Sequence, residues 1–375
     1  MSRIALVLFL SEHGAGILPV GILLLCETVP GTLMGLMSGA VVDRYSKRNL
    51  MVWADLIRVV ALVGALLHPT ASAIYFMAAI GSLAQAFFAP ARSACIPLIV
   101  PTDNLSEANA MDQASASVLM ILAPVIGTEL YLSTGIGVTL SIDGLSYLLS
   151  ASLILRLKPF REIPSRAACS ISILDECKEG WRYLIRDPLV LYLIALCFLS
   201  LLCAGLWMPL APTFIRSFLR SPQRLLGLQL GLFGLGGICG SIVSAALLEK
   251  LGMGRLLLFC LMGEGAVMIA YSFAATASLS TAIMFIWGNI VSVMMVPYNT
   301  LLQRIVQSGF LGRVFAVSRQ IESLALVAAI GLGTTLQHRF RADQLFVFAG
   351  LLYVFVVALS GRTRYGTMLL ARTGL

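Results

Sequence analysis

Long apolar runs, separated by short polar or turn-forming stretches, fill most of the chain. They fall at roughly 15–42, 50–67, 71–90, 113–132, 136–155, 188–212, 225–248, 255–274, 278–302, 313–336 and 344–361. A helix of about 20 apolar residues crosses about 30 Å of hydrocarbon, so these eleven runs read as membrane-spanning helices. A membrane β-barrel would show short alternating segments instead of solid blocks. Ahead of them, "RIALVLFL" reaches only about 12 Å as a helix. It is expected to be the second half of a first helix whose beginning is missing; a true eleven-helix protein is the alternative. The expected fold is therefore an all-α polytopic membrane protein.

Basic residues orient these spans. With the 43–49 loop placed in the cytoplasm, alternating spans put 20 Lys and Arg inside and five outside, leaving Arg3 uncounted. That asymmetry obeys the positive-inside rule and puts the 43–49 loop, the central linker and the C-terminus in the cytoplasm of an inner-membrane protein. It also accounts for the net charge of +8 without a nucleic-acid partner. The eight cysteines form no Cys-x-x-Cys and no metal-like cluster. Cys26, Cys197, Cys203, Cys239 and Cys260 lie within spans and read as small hydrophobes. No cofactor is implied.

Residues 156–187 form one long polar connection, carrying 12 charges. Within it, Ser172 and Asp175 read as a capping box. Ile173, Leu174, Cys177, Trp181, Leu184 and Ile185 then recur at helical spacing, as in an amphipathic helix on the inner membrane surface. A solvated linker is the plainer alternative. The connection divides the chain into a half at 1–155, the linker at 156–187 and a half at 188–375.

The two halves echo each other. "PARSACIPLIVPTDNLSEANA" from Pro90 matches the pattern of "PYNTLLQRIVQSGFLGRVFA" from Pro297, 207 residues on. "GAVVDRYSKRNL" is echoed by "GSIVSAALLEKLGMGRLL", with Glu249-Lys250 in place of Asp43-Arg44 at an offset of 206. Parallel six-helix repeats are a transporter architecture, with substrate bound between the halves near mid-membrane.

Ionisable residues inside spans are costly, which makes them functional candidates. Glu27, followed by Pro30, leads as a proton-carrying carboxylate, with Asp143 and Glu264 next. Glu322 reads as a partner of Arg319, and Glu129 as solvated near the outer surface. Each can equally be a hydrogen-bonded structural acid. Gln85, Asn289 and Asn299 are cavity candidates or interhelical glue. Trp207, Met208, Trp287, Met294 and Met295 read as core packing before an adaptable apolar wall.

The motif Gly39-x-x-x-Asp43-Arg44-x-x-Lys47-Arg48 resembles the loop between helices 2 and 3 of the major facilitator superfamily. Asp55 and Arg58 in "WADLIR" resemble its continuation in the efflux branch that includes macrolide and enterobactin exporters. "NAMDQASASVLMILAPVIGTELYLSTG" and "LLQRIVQSGFLGRVFAV" resemble that branch too. The resemblance spans nearly the whole chain and implies twelve helices in two halves. A second family motif, Gly-Pro-x-x-Gly-Gly, retains Pro124 and Gly127 here, but two of its glycines are Ala123 and Thr128. Its implied role is close helix packing, with Gly236, Gly240 and Ser244 as the expected counterpart. Asp43 can end a helix in solvent or offset the nearby cations. The resemblance implies that it docks on the N-terminal end of helix 11, near Gly312 to Phe315, as a cytoplasmic latch. Lys47 is expected to pair with Asp112.

The function implied is a monomeric secondary transporter, exporting a small amphipathic molecule across the bilayer against proton entry. A lysophospholipid transporter or a degenerate relative are the alternatives. Enzyme chemistry has little support: His13, His68 and His338 all fall in outer loops far apart, and no Walker lysine motif occurs.

Overall fold

The computed structural model describes residues 2–13, 17–101, 104–156, 173–307 and 310–372. The side chains at 36, 39–40, 43–44, 106, 109–110, 173–178 and 369–372 lie outside that description. The helices are α1 (Ser2–His13), α2 (Leu18–Arg44), α3 (Lys47–Leu67), α4 (Ala71–Ile99), α5 (Leu105–Arg156), α6 (Ile173–Arg186) and α7 (Pro188–Ala204). They continue as α8 (Trp207–Ser217), α9 (Arg224–Leu251), α10 (Met253–Ser272), α11 (Ala277–Ile305), α12 (Leu311–Leu336), α13 (Ala342–Gly361) and α14 (Arg364–Arg372).

Every expected span has its helix; the spans at 113–132 and 136–155 share α5, with its break at Gly135 in the gap between them, and the run at 188–212 has a break that the apolar pattern did not mark. The 52 residues of α5 would reach about 78 Å if straight, more than twice the hydrocarbon. Gly135 interrupts them at φ 82°, a left-handed conformation that glycine adopts without Cβ strain. Asp112, near one end of α5, pairs with Arg92, while Ile154, near the other end, packs on Val42, Met51, Ala91 and Cys95. Both ends of α5 therefore meet the same region, and the helix is a hairpin of two spans. The run at 188–212 is likewise split into α7 and α8 by Gly205 and Leu206. The first helix is longer than expected, with 12 residues, yet at about 18 Å it falls short of a full crossing.

The chain forms two compact units. Unit 1 comprises Met1–Leu119 and Gly127–Glu176; unit 2 comprises Met120–Ile126 and Cys177–Leu375. Within each unit, the same contacts recur at an offset of 206 or 207 residues. Thr70 caps α4 by accepting from the Ala73 amide and bonds Ser72; Thr276 caps α11 through Leu279 and bonds Ser278. Such caps satisfy orphan amides at helix starts. Gly31 of α2 packs on Ser82 of α4, and at an offset of 206 Gly237 of α9 faces Gly288 of α11, whose carbonyl oxygen would lie 3.9 Å from a Cβ there. Leu62 meets Gly144, and at the matching positions Ile269 meets Gly350. The repeat seen faintly in the sequence is a repeat of packing.

The α9–α11 pair approaches backbone to backbone. A Cβ on Gly236 would collide with the Phe285 carbonyl, one on Gly240 with the Asn289 carbonyl, and one on Gly288 with the Phe233 carbonyl. Small residues are what permit such contact between membrane helices.

Candidate functional site

Two of the polar clusters in the apolar interior, one in each unit, are built on buried charged residues. In unit 1 the cluster is built on α3. Asp55 and Arg58 stand three residues apart, so they share a helix face. Arg58 Nη1 donates to Asp55 Oδ1 at 3.1 Å, and Nη2 donates to Gln85 Oε1 at 2.7 Å. The guanidinium carbon lies 5.1 Å from the Phe88 ring centroid and 5.2 Å from that of Tyr147. Asp55 is 1% exposed and Arg58 7%. Arg58 is about 16 Å along α3 from Lys47, near mid-membrane. It therefore leaves the group of cytoplasmic basic residues that set the orientation. A bare charge at that depth costs about 2.5–3.5 kcal/mol on insertion scales. Pairing, amide bonding and two ring faces offset it.

In unit 2 the cluster is built on Glu264 of α10, which is 2% exposed. Its Oε2 accepts from Ser200 Oγ at 2.7 Å and from Tyr353 Oη at 2.9 Å. Trp287 Nε1 approaches Oε1 at 3.4 Å, a long bond. Three other helices, α7, α11 and α13, thus converge on one carboxylate. A second buried network lies nearby in sequence terms: Tyr271 donates to Gln229, which donates to Ser280, both at 2.9 Å.

The other expected acids have different partners. Glu27 on α2 forms an ion pair with Arg3 of α1, Nε to Oε2 at 2.9 Å. Asp143 accepts from the Ser2 hydroxyl. Glu322 does not take Arg319 in the pair expected for it; its Oε1 accepts from Ser318 at 2.9 Å and Tyr298 at 3.3 Å, with Cys197 Sγ at 3.9 Å. Ser318, one turn back on the same helical face, and Tyr298 of α11 supply the hydroxyls that take the carboxylate. Glu129 is exposed.

Of the cavity candidates, Gln85 serves Arg58. Asn299 donates to the Met295 carbonyl of its own helix at 2.9 Å, and the Asn289 backbone seats Gly240. Trp207, Trp287 and Met294 are buried core residues.

The loop motif is partly visible. Gly39, Asp43 and Arg44 lie in the last turns of α2, and the side chains of all three lie outside the described residues. Lys47 and Arg48 open α3. Arg48 Nε donates to the Ile154 carbonyl at 3.2 Å and Nη2 to the Leu155 carbonyl. A cation there satisfies the orphan carbonyls and the negative dipole at the end of α5. Asp112 was expected to take Lys47; the ion pair seen is with Arg92, at 3.1 Å.

The packing motif is divided between two surfaces. Pro124 is half-buried and Gly127 buried in α5. Within unit 2, Ile121 and Val125 of α5 lie on Gly231 and Gly234 of α9; a Cβ on Gly231 would come 2.7 Å from Val125 Cγ2. Gly236 and Gly240, the counterparts expected from sequence, face α11 instead. Rotation along α9 between Gly231 and Gly236 turns the later glycines to another side of the helix.

The linker helix α6 also differs from expectation. The Ser172 cap and the Asp175 side chain lie outside the described residues. The remainder docks on protein as well as presenting an apolar edge. Leu184 is fully buried, Glu179 bonds Arg313, and Tyr183 stacks on Phe310 with ring centroids 5.1 Å apart. Gly180 lies against the Arg313 carbonyl and Val317. Trp181 and Ile185 remain exposed. Among the described residues, no group of His, Cys, Asp and Glu is placed to hold a metal ion.

Comparison with known proteins agrees with this architecture. A family model described as Major Facilitator Superfamily matches residues 1–331. Macrolide efflux protein A of Streptococcus pyogenes is 23% identical over 371 residues, covering 94% of this chain and 89% of that protein. The uncharacterised transporter YfiS of Bacillus subtilis is 22% identical over 346 residues, covering 90% and 83%. The crystal structure of nucleoside transporter NupG superposes with a TM-score of 0.73 at 13% identity, covering 97% of this chain and 98% of that one.

Proposed function

Because the chain belongs to the Major Facilitator Superfamily, we propose that it is a secondary exporter of small amphipathic molecules, driven by proton entry through alternating access. The chain is a multi-pass membrane transporter and not an enzyme. The observation that carries export is the similarity to macrolide efflux protein A, which runs through both units and not through one motif alone. Support for coupling comes from the intramembrane carboxylates Glu27, Asp143 and Glu264, whose cost in hydrocarbon requires a return. Asp43 acts as a cytoplasmic latch in this reading, with the 43–49 loop inside.

The test is transport in proteoliposomes with a radiolabelled macrolide and an imposed pH gradient. Accumulation that a protonophore abolishes supports the reading. Equal label in protein-containing and empty vesicles overturns it for this substrate class. Asp43→Asn is expected to insert normally and lose turnover; undiminished turnover removes the latch.

A further inference from the structure

The packing repeat has an electrostatic consequence. At an offset of 206, Arg58 corresponds to Glu264 and Tyr147 to Tyr353. Each charged residue is twelfth in its helix, α3 or α10, and each meets the matching tyrosine: Tyr147 lies under the Arg58 guanidinium, and Tyr353 donates to Glu264. Equivalent positions in the two units thus carry opposite charges.

Their compensation differs. Arg58 is neutralised within its own helix by Asp55. Glu27 has Arg3. Glu264 has only the neutral donors Ser200, Tyr353 and Trp287. The titratable groups that face it are the thiols of Cys197 and Cys203 on α7, the thiol of Cys260 on α10 itself, and the phenol of Tyr353 on α13. None of these supplies positive charge, and among the described residues no ion pair forms at Glu264. A buried carboxylate with a cation loses an ion pair when it takes a proton; Glu264 loses none.

Resting on the transport reading above, we propose that Glu264 is the proton-carrying group of unit 2, and that its protonation acts on α7 through Ser200. The chemistry chooses the oxygen. Indole N–H is donor-only, so an acid proton on Oε1 would face another donor. On Oε2 the proton has two hydroxyls that can accept it. Addition of one proton to the carboxylate makes a carboxylic acid that donates from Oε2. One of the Ser200 and Tyr353 hydroxyls then reverses from donor to acceptor, and release of the proton restores it. Charge and atoms balance with no other reactant. Ser200 lies little more than a turn before the α7–α8 break at Gly205, where a Cβ would come 2.8 Å from the Ala329 Cβ of α12. The proton-dependent bond therefore sits beside the junction of α7 and α8.

The experiment is infrared difference spectroscopy of the full chain in hydrated lipid films across a pH titration. A carboxylic-acid C=O band is expected to grow as pH falls, to be missing in Glu264→Gln, and to shift in Tyr353→Phe, which removes one bond to the same oxygen. Titrating bands identical in wild type and Glu264→Gln overturn the proposal. If Glu264→Gln is not recovered folded, bands unaltered in both Tyr353→Phe and Ser200→Ala overturn it equally. In proteoliposomes, the ratio of gradient-driven accumulation to downhill exchange of labelled macrolide is expected to fall about tenfold in Glu264→Gln. An unchanged ratio overturns the coupling role. Wild-type vesicles that move no macrolide count against the transport reading alone, because the infrared titration needs no substrate.

Discussion

Tyr353 holds Glu264 across 2.9 Å in the interior of unit 2, joining α13 to α10 where both are surrounded by apolar side chains. Tyr353→Phe keeps the ring and removes the donor. The loss is expected to be about 1–3 kcal/mol, because a buried carboxylate oxygen loses one of its partners. A lowered Tm in detergent checks it; an unchanged Tm would mean that another donor replaces the phenol.

Arg58 and Asp55 make a double-mutant cycle with a clear expected sign. Arg58→Gln alone leaves Asp55 as an uncompensated buried charge, at a cost of about 3–5 kcal/mol. Adding Asp55→Asn is expected to restore most of that stability, since no charge is then stranded. Additive losses in Tm would show that the pair does not act as a pair.

The α9–α11 contact predicts strong dependence on side-chain size at one glycine and little at another. Gly288→Val drives a branched side chain into the Phe233 carbonyl, and overpacking of this kind typically costs about 1–3 kcal/mol, more against backbone. Gly331→Ala meets open space. Size-exclusion profiles are expected to show aggregation for the first substitution and a wild-type peak for the second.

Two surface-end arginines should separate by their surroundings. Arg48 binds the last carbonyls of α5, worth about 0.3–1 kcal/mol at a helix end. The Arg92–Asp112 pair is open to solvent, with side chains 50% and 35% exposed, and such pairs contribute about 0–1 kcal/mol. Arg48→Ala is expected to lower Tm most at low salt and still measurably at high salt, where the dipole attraction is screened and the lost bonds to the carbonyls remain. The effect of Arg92→Ala should vanish at high salt; persistence there would mark the pair as shielded.

What each residue does in the site was legible only in part. Glu264 and Gln85 stood out because a polar residue in an apolar run is conspicuous. Asp55 and Arg58 are visible in the sequence as a motif and not as a site, since Arg58 sits only eleven residues past Lys47 and reads as one more cytoplasmic cation. The signal that would have found them is the offset: Arg58 and Glu264 are separated by the same 206 residues as Thr70 and Thr276.

The sequence by itself determined the spans, their number and the repeat. Each depends on local quantities: the length of an apolar run, the spacing of caps and glycines, and the cost of exposing a backbone to lipid. Tertiary structure alone decided partners. Whether Asp112 meets Lys47 or Arg92, whether Gly236 faces α5 or α11, and which acid is left with neutral donors are set by helix rotation. A turn of about 100° per residue carries a side chain to another neighbour. Hydrophobic runs specify that a helix crosses the membrane and leave its rotation to packing, which is why the spans could be counted in advance and their contacts could not.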